Sequence, residues 1–425
     1  MRLFSRQLRG WVPPANAFLQ FFAGSENAFW LDREFNQATP ISVIGAGVPA
    51  GKLPADQKFD NSPEDLGLPF DWRPGLVGFY EYEGTPRFLD VDRGMVFDHS
   101  SRKIYLVGLF ESESAFEHWC NAAFLRLGLI GGELAAYKLQ AKKIQTTASL
   151  SLRHNSDQYL KMIETAQQHI ALGDVYQICL TNRIDLVHNA DPLVIFLELR
   201  DTNPAPYSTF LRIGQTTLVC SSPEQFLQVT PTGLVRTKPI KGTRPRSLDA
   251  QEDAGLADEL RNNEKERAEN LMIVDLMRND IGRVAVAESV KVSKLFEIES
   301  YATVHQLVST VEGQLAESVT APTALAGAFP GGSMTGAPKI RAMQIIEELE
   351  RGPRGVYSGA VGYFGFNGAA DFGMTIRSIV FEGSKAYIGV GGGITSDSDP
   401  MAELEETKLK AQALLRVLNA PDPWA

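Results

Sequence analysis

The stretch PTGLVRTKPIKGTRPR, residues 231–246, decides how this chain is read. Its first half predicts a short apolar strand from Gly233 to Ile240, and Lys241 stands directly after it, just before Gly242. Gly242 brings no side chain to crowd a ligand and permits backbone angles closed to other residues. A lysine amine in a partly buried pocket loses part of its preference for the charged form and can then act as a nucleophile. Read alone, Lys241 is an ordinary surface lysine at a turn. The surrounding pattern is what changes that reading.

Outward from this stretch, strands and helices mix. Residues 1 to about 110 read as short strands with turns, as in LVGFYEYEG at 76–84 and KIYLVGLFES at 103–112. A helix is predicted over 114–126, and the more polar segment 132–156 reads as a connector. Tyr159, Met162, Ile163, Ala166 and Ile170 have helical spacing within 157–172. The charge-rich stretch 251–280 predicts two helices broken near Asn262-Asn263. A further helix is predicted over 338–350, with Pro338 in its first turn and Gly352-Pro353 ending it. Strands follow at 356–366, 371–382 and 384–391, then a last helix from about 400 to 418. Without strict alternation, this order predicts an α+β fold. A β-rich N-terminal subdomain is expected over 1–135, packed on and contributing to the core of a catalytic domain over 150–421.

A chain of 425 residues can build a large core, as one big domain or two. Its formal net charge of −10 argues against a nucleic-acid or membrane-surface partner. Cys120, Cys179 and Cys220 have no metal-like spacing and make no disulfide framework. The N-terminus lacks a secretory signal and no apolar run reaches the length of a membrane span, so a cytoplasmic protein is expected.

Two carboxylate pairs carry the next signal. Glu266 and Glu269 are three residues apart and share a helix face, and Glu403 with Glu406 repeats the spacing. Two such faces brought together concentrate oxygen ligands for a hard cation such as Mg²⁺. Each pair alone is as well a solvated face, and Glu406 with Lys410 an ordinary ion pair worth roughly 0.2–0.5 kcal/mol. Glu224 follows Ser222-Pro223. Near a bound anion and away from water its pKa would rise, and it could protonate a leaving hydroxyl. Alone, it is a turn glutamate. Arg377 offers a planar fork to a carboxylate, or meets solvent at a strand edge. Gly391, Gly392 and Gly393 make an anion nest of backbone N–H groups, or a tight bend. Tyr357 can add a hydroxyl donor. His305, in an apolar stretch, reads as a packed residue. ISVIGAGVPAG at 41–51 imitates a dinucleotide loop, but Pro49 and then Lys52-Leu53-Pro54 leave no helix to face a pyrophosphate. GGSMTGAPK at 331–339 lacks the ending of a phosphate-binding loop. Its Lys339 either attracts an anion or solvates a helix start.

Together, Ser222-Pro223-Glu224, PIKGTRPR (239–246), ERAENLMIVDLMRND (266–280), VHQLVSTVEG (304–313), FPGGSMTGAPK (329–339), YSGAVGYFGF (357–366), DFGMTIRS (371–378), GVGGGIT (389–395) and ELEETKLK (403–410) resemble the chorismate-utilising enzymes. That family includes anthranilate, aminodeoxychorismate, isochorismate and salicylate synthases. The resemblance implies the anthranilate synthase type of chorismate-binding fold, with large β-sandwich-like sheets flanked by helices. It implies Mg²⁺ held by Glu269 and Glu406, with Glu266 and Glu403 holding water on the metal. It implies chorismate contacts from Thr243, His305, Tyr357, Arg377, Gly391, Gly392, Gly393 and Lys410, a glycine-rich loop at 331–339 lining the cavity, and Glu224 as general acid at C4.

Lys241 resembles the aminodeoxychorismate synthase component I branch, since anthranilate synthases usually carry alanine there. Isochorismate and salicylate synthases carry a water-activating lysine at the place matched by Gln177, and glutamine cannot do that work. The implied reaction joins chorismate and ammonia into 4-amino-4-deoxychorismate through a covalent Lys241 adduct at C2. The product would serve para-aminobenzoate and folate synthesis, or a specialised pathway. No cysteine has a glutaminase setting, and the resemblance implies that ammonia comes from a separate glutamine amidotransferase subunit. The nearest rival is anthranilate synthase component I. A non-catalytic binding or regulatory homologue is disfavoured because Glu224, Glu269 and Glu406 are all present. No leucine-leucine-glutamate-serine motif is seen, so tryptophan feedback is not expected.

Overall fold

Runs of β-branched and aromatic residues build two large antiparallel sheets in this computed structural model, which describes residues 1–51, 67–141, 150–301 and 304–424. In the twelve-stranded sheet, Arg2–Leu8, Lys103–Phe110, Arg93–Asp98, Ile41–Ala46 and Asn27–Asp32 lie side by side. The same sheet continues through Tyr207–Ile213, Thr216–Ser222, Ser378–Glu382, Lys385–Ile394 and Gln177–Val187. The ten-stranded sheet runs Ile240–Pro245, Val304–Gln314, Leu234–Lys238, Gln225–Val229, Ala370–Met374, Ala360–Gly365, Gly75–Tyr80 and Pro86–Val91. The N-terminal strands thus extend both sheets.

One core lies between the sheets. Leu218, Cys220 and Val380 of the first belong to it with Phe226, Leu227, Phe364 and Phe372 of the second. A second core, with Phe18, Trp30, Phe196, Phe210 and Leu414, is closed by the helices Pro14–Phe22, Pro192–Thr202 and Pro400–Val417. Each such side chain contributes about 1.5–3 kcal/mol on burial. The architecture is α+β, with helices covering sheet faces, as expected.

Caps explain the helix borders. Asn155 and Gln158 form a reciprocal capping box at the start of Ser156–Ala171. Asn263 ends Ala250–Asn262, and its side chain caps Glu264–Gly282, so the predicted break is real. Other expectations need correction. The helix Pro14–Phe22 stands among the predicted strands, burying Ala15, Ala17, Phe18 and Leu19. The predicted connector contains the helix Glu133–Ala141 and the strand Leu150–Leu152, while 142–149 lie outside the described residues. The strand predicted from Gly233 to Ile240 is Leu234–Lys238, and a new strand, Ile240–Pro245, contains Lys241 instead of preceding it. The predicted strand 371–382 is two strands, Ala370–Met374 and Ser378–Glu382, in different sheets. The chain crosses between sheets at 375–377, where Arg377 lies. Of the imitation dinucleotide loop, Ile41–Ala46 is a sheet strand, and residues 52–54 lie outside the described ones. Among the described residues no helix is long and apolar enough to cross a membrane.

Candidate active site

Lys241 owes its direction to a bulge. The pairing of Ile240–Pro245 with Val304–Gln314 slips between Lys241 and Thr243, leaving Gly242 as the extra residue at φ +79°. A Cβ on Gly242 would come 2.7 Å from Leu260 and 2.9 Å from the Glu266 carboxyl group. Glycine alone therefore lets this strand pass beneath the two helices. The bulge aims Lys241 into the protein, where its Nζ lies 3.7 Å from Glu269 Oε2.

Capping fixes the ends of the two helices that carry the carboxylates. Asn263 Oδ1 accepts from Glu266 N at 3.1 Å, and Ser309 Oγ donates to Asn270 Oδ1 at 2.6 Å, tying that helix to the sheet. Asp399 caps the last helix through Ala402 N at 2.8 Å. Lys265 is felt by both pairs: its Nζ lies 3.9 Å from Glu269 Oε1, and its charge also acts on Glu266, Glu403 and Glu406. Burial, then the neighbouring Glu269, raises the pKa of Glu266, against the pull of Arg244. Burial raises Glu403, opposed by the hydroxyl of Ser398, which donates to it at 2.8 Å. Burial would raise Glu406 too, but Lys410, at 2.7 Å, and then Lys241 and Lys265 hold it below its ordinary value. Two pairs of partly buried carboxylates that share the neighbouring charges of Lys241 and Lys265 offer the oxygen donors a hard cation takes, so these residues fit Mg²⁺. A tighter acidic group, Asp32, Glu34 and His99, does not: Arg200 is bonded to both of its carboxylates and Ser42 to Asp32.

Glu224 is buried, and burial pushes its pKa up to about 7, against the opposing pulls of the Ser333 hydroxyl and then the Lys241 charge. It is therefore partly protonated near neutral pH. Its backbone C=O accepts from Met374 N at 3.0 Å, which seats it against the second sheet.

Gly391, Gly392 and Gly393 lie inside the strand Lys385–Ile394, paired with Thr181, Leu180 and Cys179, so they form neither a nest nor a bend. Their contribution is space. A Cβ on Gly393 would stand 2.7 Å from Gln177 Nε2 and 3.1 Å from Lys241 Nζ, and one on Gly392 3.1 Å from Glu403 Oε2. The Oε1 of Gln177 is buried without a hydrogen-bond partner. Lys410 Nζ donates to the Gly391 C=O at 2.9 Å, linking this strand to the last helix.

Arg377 sits in the left-handed region at φ 51°, a conformation that costs a non-glycine residue about 1 kcal/mol or more. Burial lowers its pKa, while Tyr357 and Glu406 oppose the shift. Among the described residues no carboxylate lies within ion-pair distance of its guanidinium. Tyr357 is buried against Gly389, and burial pushes its phenol far above the ordinary value, so it stays a donor.

Other expected site residues are placed differently. His305 is held by Ser300 Oγ at 2.8 Å and Asp253 Oδ1 at 3.0 Å, on the side of the helix Ala250–Asn262. Thr243 is exposed and pairs with Gln306. Lys339 neither attracts an anion nor solvates a helix start: its Nζ bonds Asp280 at 2.7 Å and the C=O groups of Ala328 and Pro330. Three contributors were missed by sequence reasoning. The Ser333 hydroxyl opposes the raised pKa of Glu224, and Lys265 stands one residue before a glutamate that was read. Arg354 pairs with Glu350 at 2.7 Å and donates to the C=O groups of Met334 and Cys179, clamping the glycine-rich loop to the strand of Gln177. The i,i+4 spacing of Glu350 and Arg354 was the available signal.

Comparisons with known proteins give the chain its family. The family model for chorismate binding enzymes matches residues 80–416. An aminodeoxychorismate synthase of Streptomyces griseus is 48% identical over 84% of this chain and 52% of its own length. The Escherichia coli K12 aminodeoxychorismate synthase component 1 is 47% identical over 62% of this chain and 58% of its own. The chain thus spans about half the length of the Streptomyces griseus relative. Among solved structures, anthranilate synthase component I from Streptococcus pneumoniae TIGR4 superposes with a TM-score of 0.71 at 30% identity, over 97% of this chain and 92% of that one. The menaquinone-specific isochorismate synthase of Escherichia coli, at 19% identity, shares the fold with a TM-score of 0.75, over 98% of this chain and 95% of that one. By its family match, its relatives and its fold, this chain belongs to the chorismate-binding enzymes.

Proposed function

We propose that this chain is an aminodeoxychorismate synthase component I, a transferase that makes 4-amino-4-deoxychorismate from chorismate and ammonia. The observation that carries the reading is the meeting of Lys241 with Gln177 over Gly393, with the buried Glu224 within reach of the Lys241 charge. A nucleophilic amine and a carboxylic acid stand together where water-adding relatives are expected to hold a base.

The free amine of Lys241 attacks C2 of chorismate. The two ring double bonds each move one place, the C4–O bond breaks, and Glu224 gives its proton to the departing hydroxyl, which leaves as water. Ammonia then attacks C4, the double bonds return, and the C2–N bond breaks to free Lys241. The proton lost by the new amine restores Glu224. Pyruvate stays attached throughout. Arg377, supported by Tyr357, binds one substrate carboxylate through its planar fork, and this positioning supplies part of the rate. Glu269 and Glu406 would hold Mg²⁺, with Glu266 and Glu403 orienting its water. When bound, the ion offsets the charge of the other carboxylate. Ammonia comes from a glutamine amidotransferase subunit, a reading supported by the "component 1" name of the Escherichia coli relative.

The test is product identification after incubation with chorismate, Mg²⁺ and ammonium. Aminodeoxychorismate without released pyruvate is expected. Anthranilate with stoichiometric pyruvate would overturn the reading in favour of anthranilate synthase.

A further inference from the structure

Three lysines act on the four glutamates, and two of them are held, one by burial and one by hydrogen bonds. Lys241 is mostly buried and faces Glu269, and Lys410 is bonded to both Glu406 and the Gly391 C=O. Lys265 differs. Its side chain is 63% exposed, it reaches Glu269 only at 3.9 Å, and its amine makes no hydrogen bond to the described residues. Yet it bears on the carboxylates of both helices, Glu266 and Glu269 on its own and Glu403 and Glu406 on the last. A single loosely held ammonium therefore stands beside Glu269, with its charge felt by both glutamate pairs.

We infer that Lys265 is the displaceable counter-ion of the divalent-cation site: it balances the facing glutamates when no metal is bound and withdraws to solvent when one enters. This rests on the reading that Glu269 and Glu406 hold the metal. Four carboxylates crowded without a cation would repel one another and splay the helices. A tethered ammonium keeps the faces in register, at the cost of competing with the incoming ion. Its exposure makes withdrawal easy, because the head group regains full hydration on leaving. The lysine thus weakens metal affinity while keeping the empty site assembled.

The test is direct Mn²⁺ binding to the full chain, followed by the electron paramagnetic resonance signal of free Mn²⁺, without substrate. Lys265→Gln is expected to tighten the Mn²⁺ Kd by about three- to tenfold, the effect of removing one nearby, partly screened charge. The gain should shrink as salt is raised. Lys103→Gln, on the strand Lys103–Phe110 near the far edge of the twelve-stranded sheet, should leave Kd unchanged. An unchanged or weaker Kd in Lys265→Gln, or an equal gain in Lys103→Gln, overturns this inference and leaves the metal reading standing. Wild-type protein that binds no Mn²⁺, or binds it as well after Glu269→Gln, overturns both.

Discussion

Lys241 and Gln177 converge on the bare α-carbon of Gly393, where a Cβ would stand 3.1 Å from the lysine Nζ and 2.7 Å from the glutamine Nε2. Gly393 lies in a paired strand whose backbone alanine can adopt. Gly393→Ala should therefore fold normally and displace the amine. A misplacement of about 1 Å is enough to lower turnover about a hundredfold. Ammonia-dependent turnover together with a thermal melt checks this. Full activity would mean that the two side chains do not work at this point.

Glu224 ties catalysis to stability. Its carboxyl group titrates at about 7 in the folded chain, above its ordinary value. Between the unfolded and folded values the native state binds a proton that the unfolded chain has released, so stability falls as pH rises through that window. Glu224→Gln removes the ionisation. It should raise unfolding free energy at pH 8 by about 1–3 kcal/mol relative to wild type, with little difference at pH 4, and cut turnover by about 10²–10⁴-fold. Denaturant unfolding at both pH values checks the sign. Equal effects at the two would contradict the raised pKa.

Arg377 separates charge from geometry. Arg377→Lys keeps the cation and loses the planar fork, so KM for chorismate should rise about tenfold or more. Arg377→Gly should lose binding as well, yet melt no lower than Arg377→Ala, because glycine relieves the backbone at φ 51°. Steady-state kinetics and paired melts read the two effects separately. An unchanged KM in Arg377→Lys would remove the fork from substrate binding.

What was legible in the sequence was local. Asn262-Asn263 marked the helix break because an asparagine cap works through its own side chain and the next turn. The spacing of Glu266 with Glu269 and of Glu403 with Glu406 held because both pairs lie on helices. The rest was set by partners distant in sequence. Lys339 reads as a surface lysine until Asp280 is folded against it. His305 is held by Ser300, five residues away, and by Asp253, fifty-two away. The bulge at Gly242 depends on register with a strand beginning at Val304. The glycines at 391–393 read as a nest or a bend because glycine normally weakens a strand, and only the fold shows what keeps them bare: the Leu180 and Thr181 backbone at Gly391, Glu403 at Gly392, and Gln177 with Lys241 at Gly393. Pro14–Phe22 escaped because nine residues rich in aromatics suit a strand as well as a helix.

The most direct test of the account is intact-mass analysis of the chain given chorismate and Mg²⁺ without ammonia. A species heavier by chorismate less one water, mapping to Lys241, cleared by added ammonium and absent in Lys241→Ala, is the result predicted. An adduct that persists in Lys241→Ala, or ammonia-dependent turnover that survives that substitution undiminished, would contradict it.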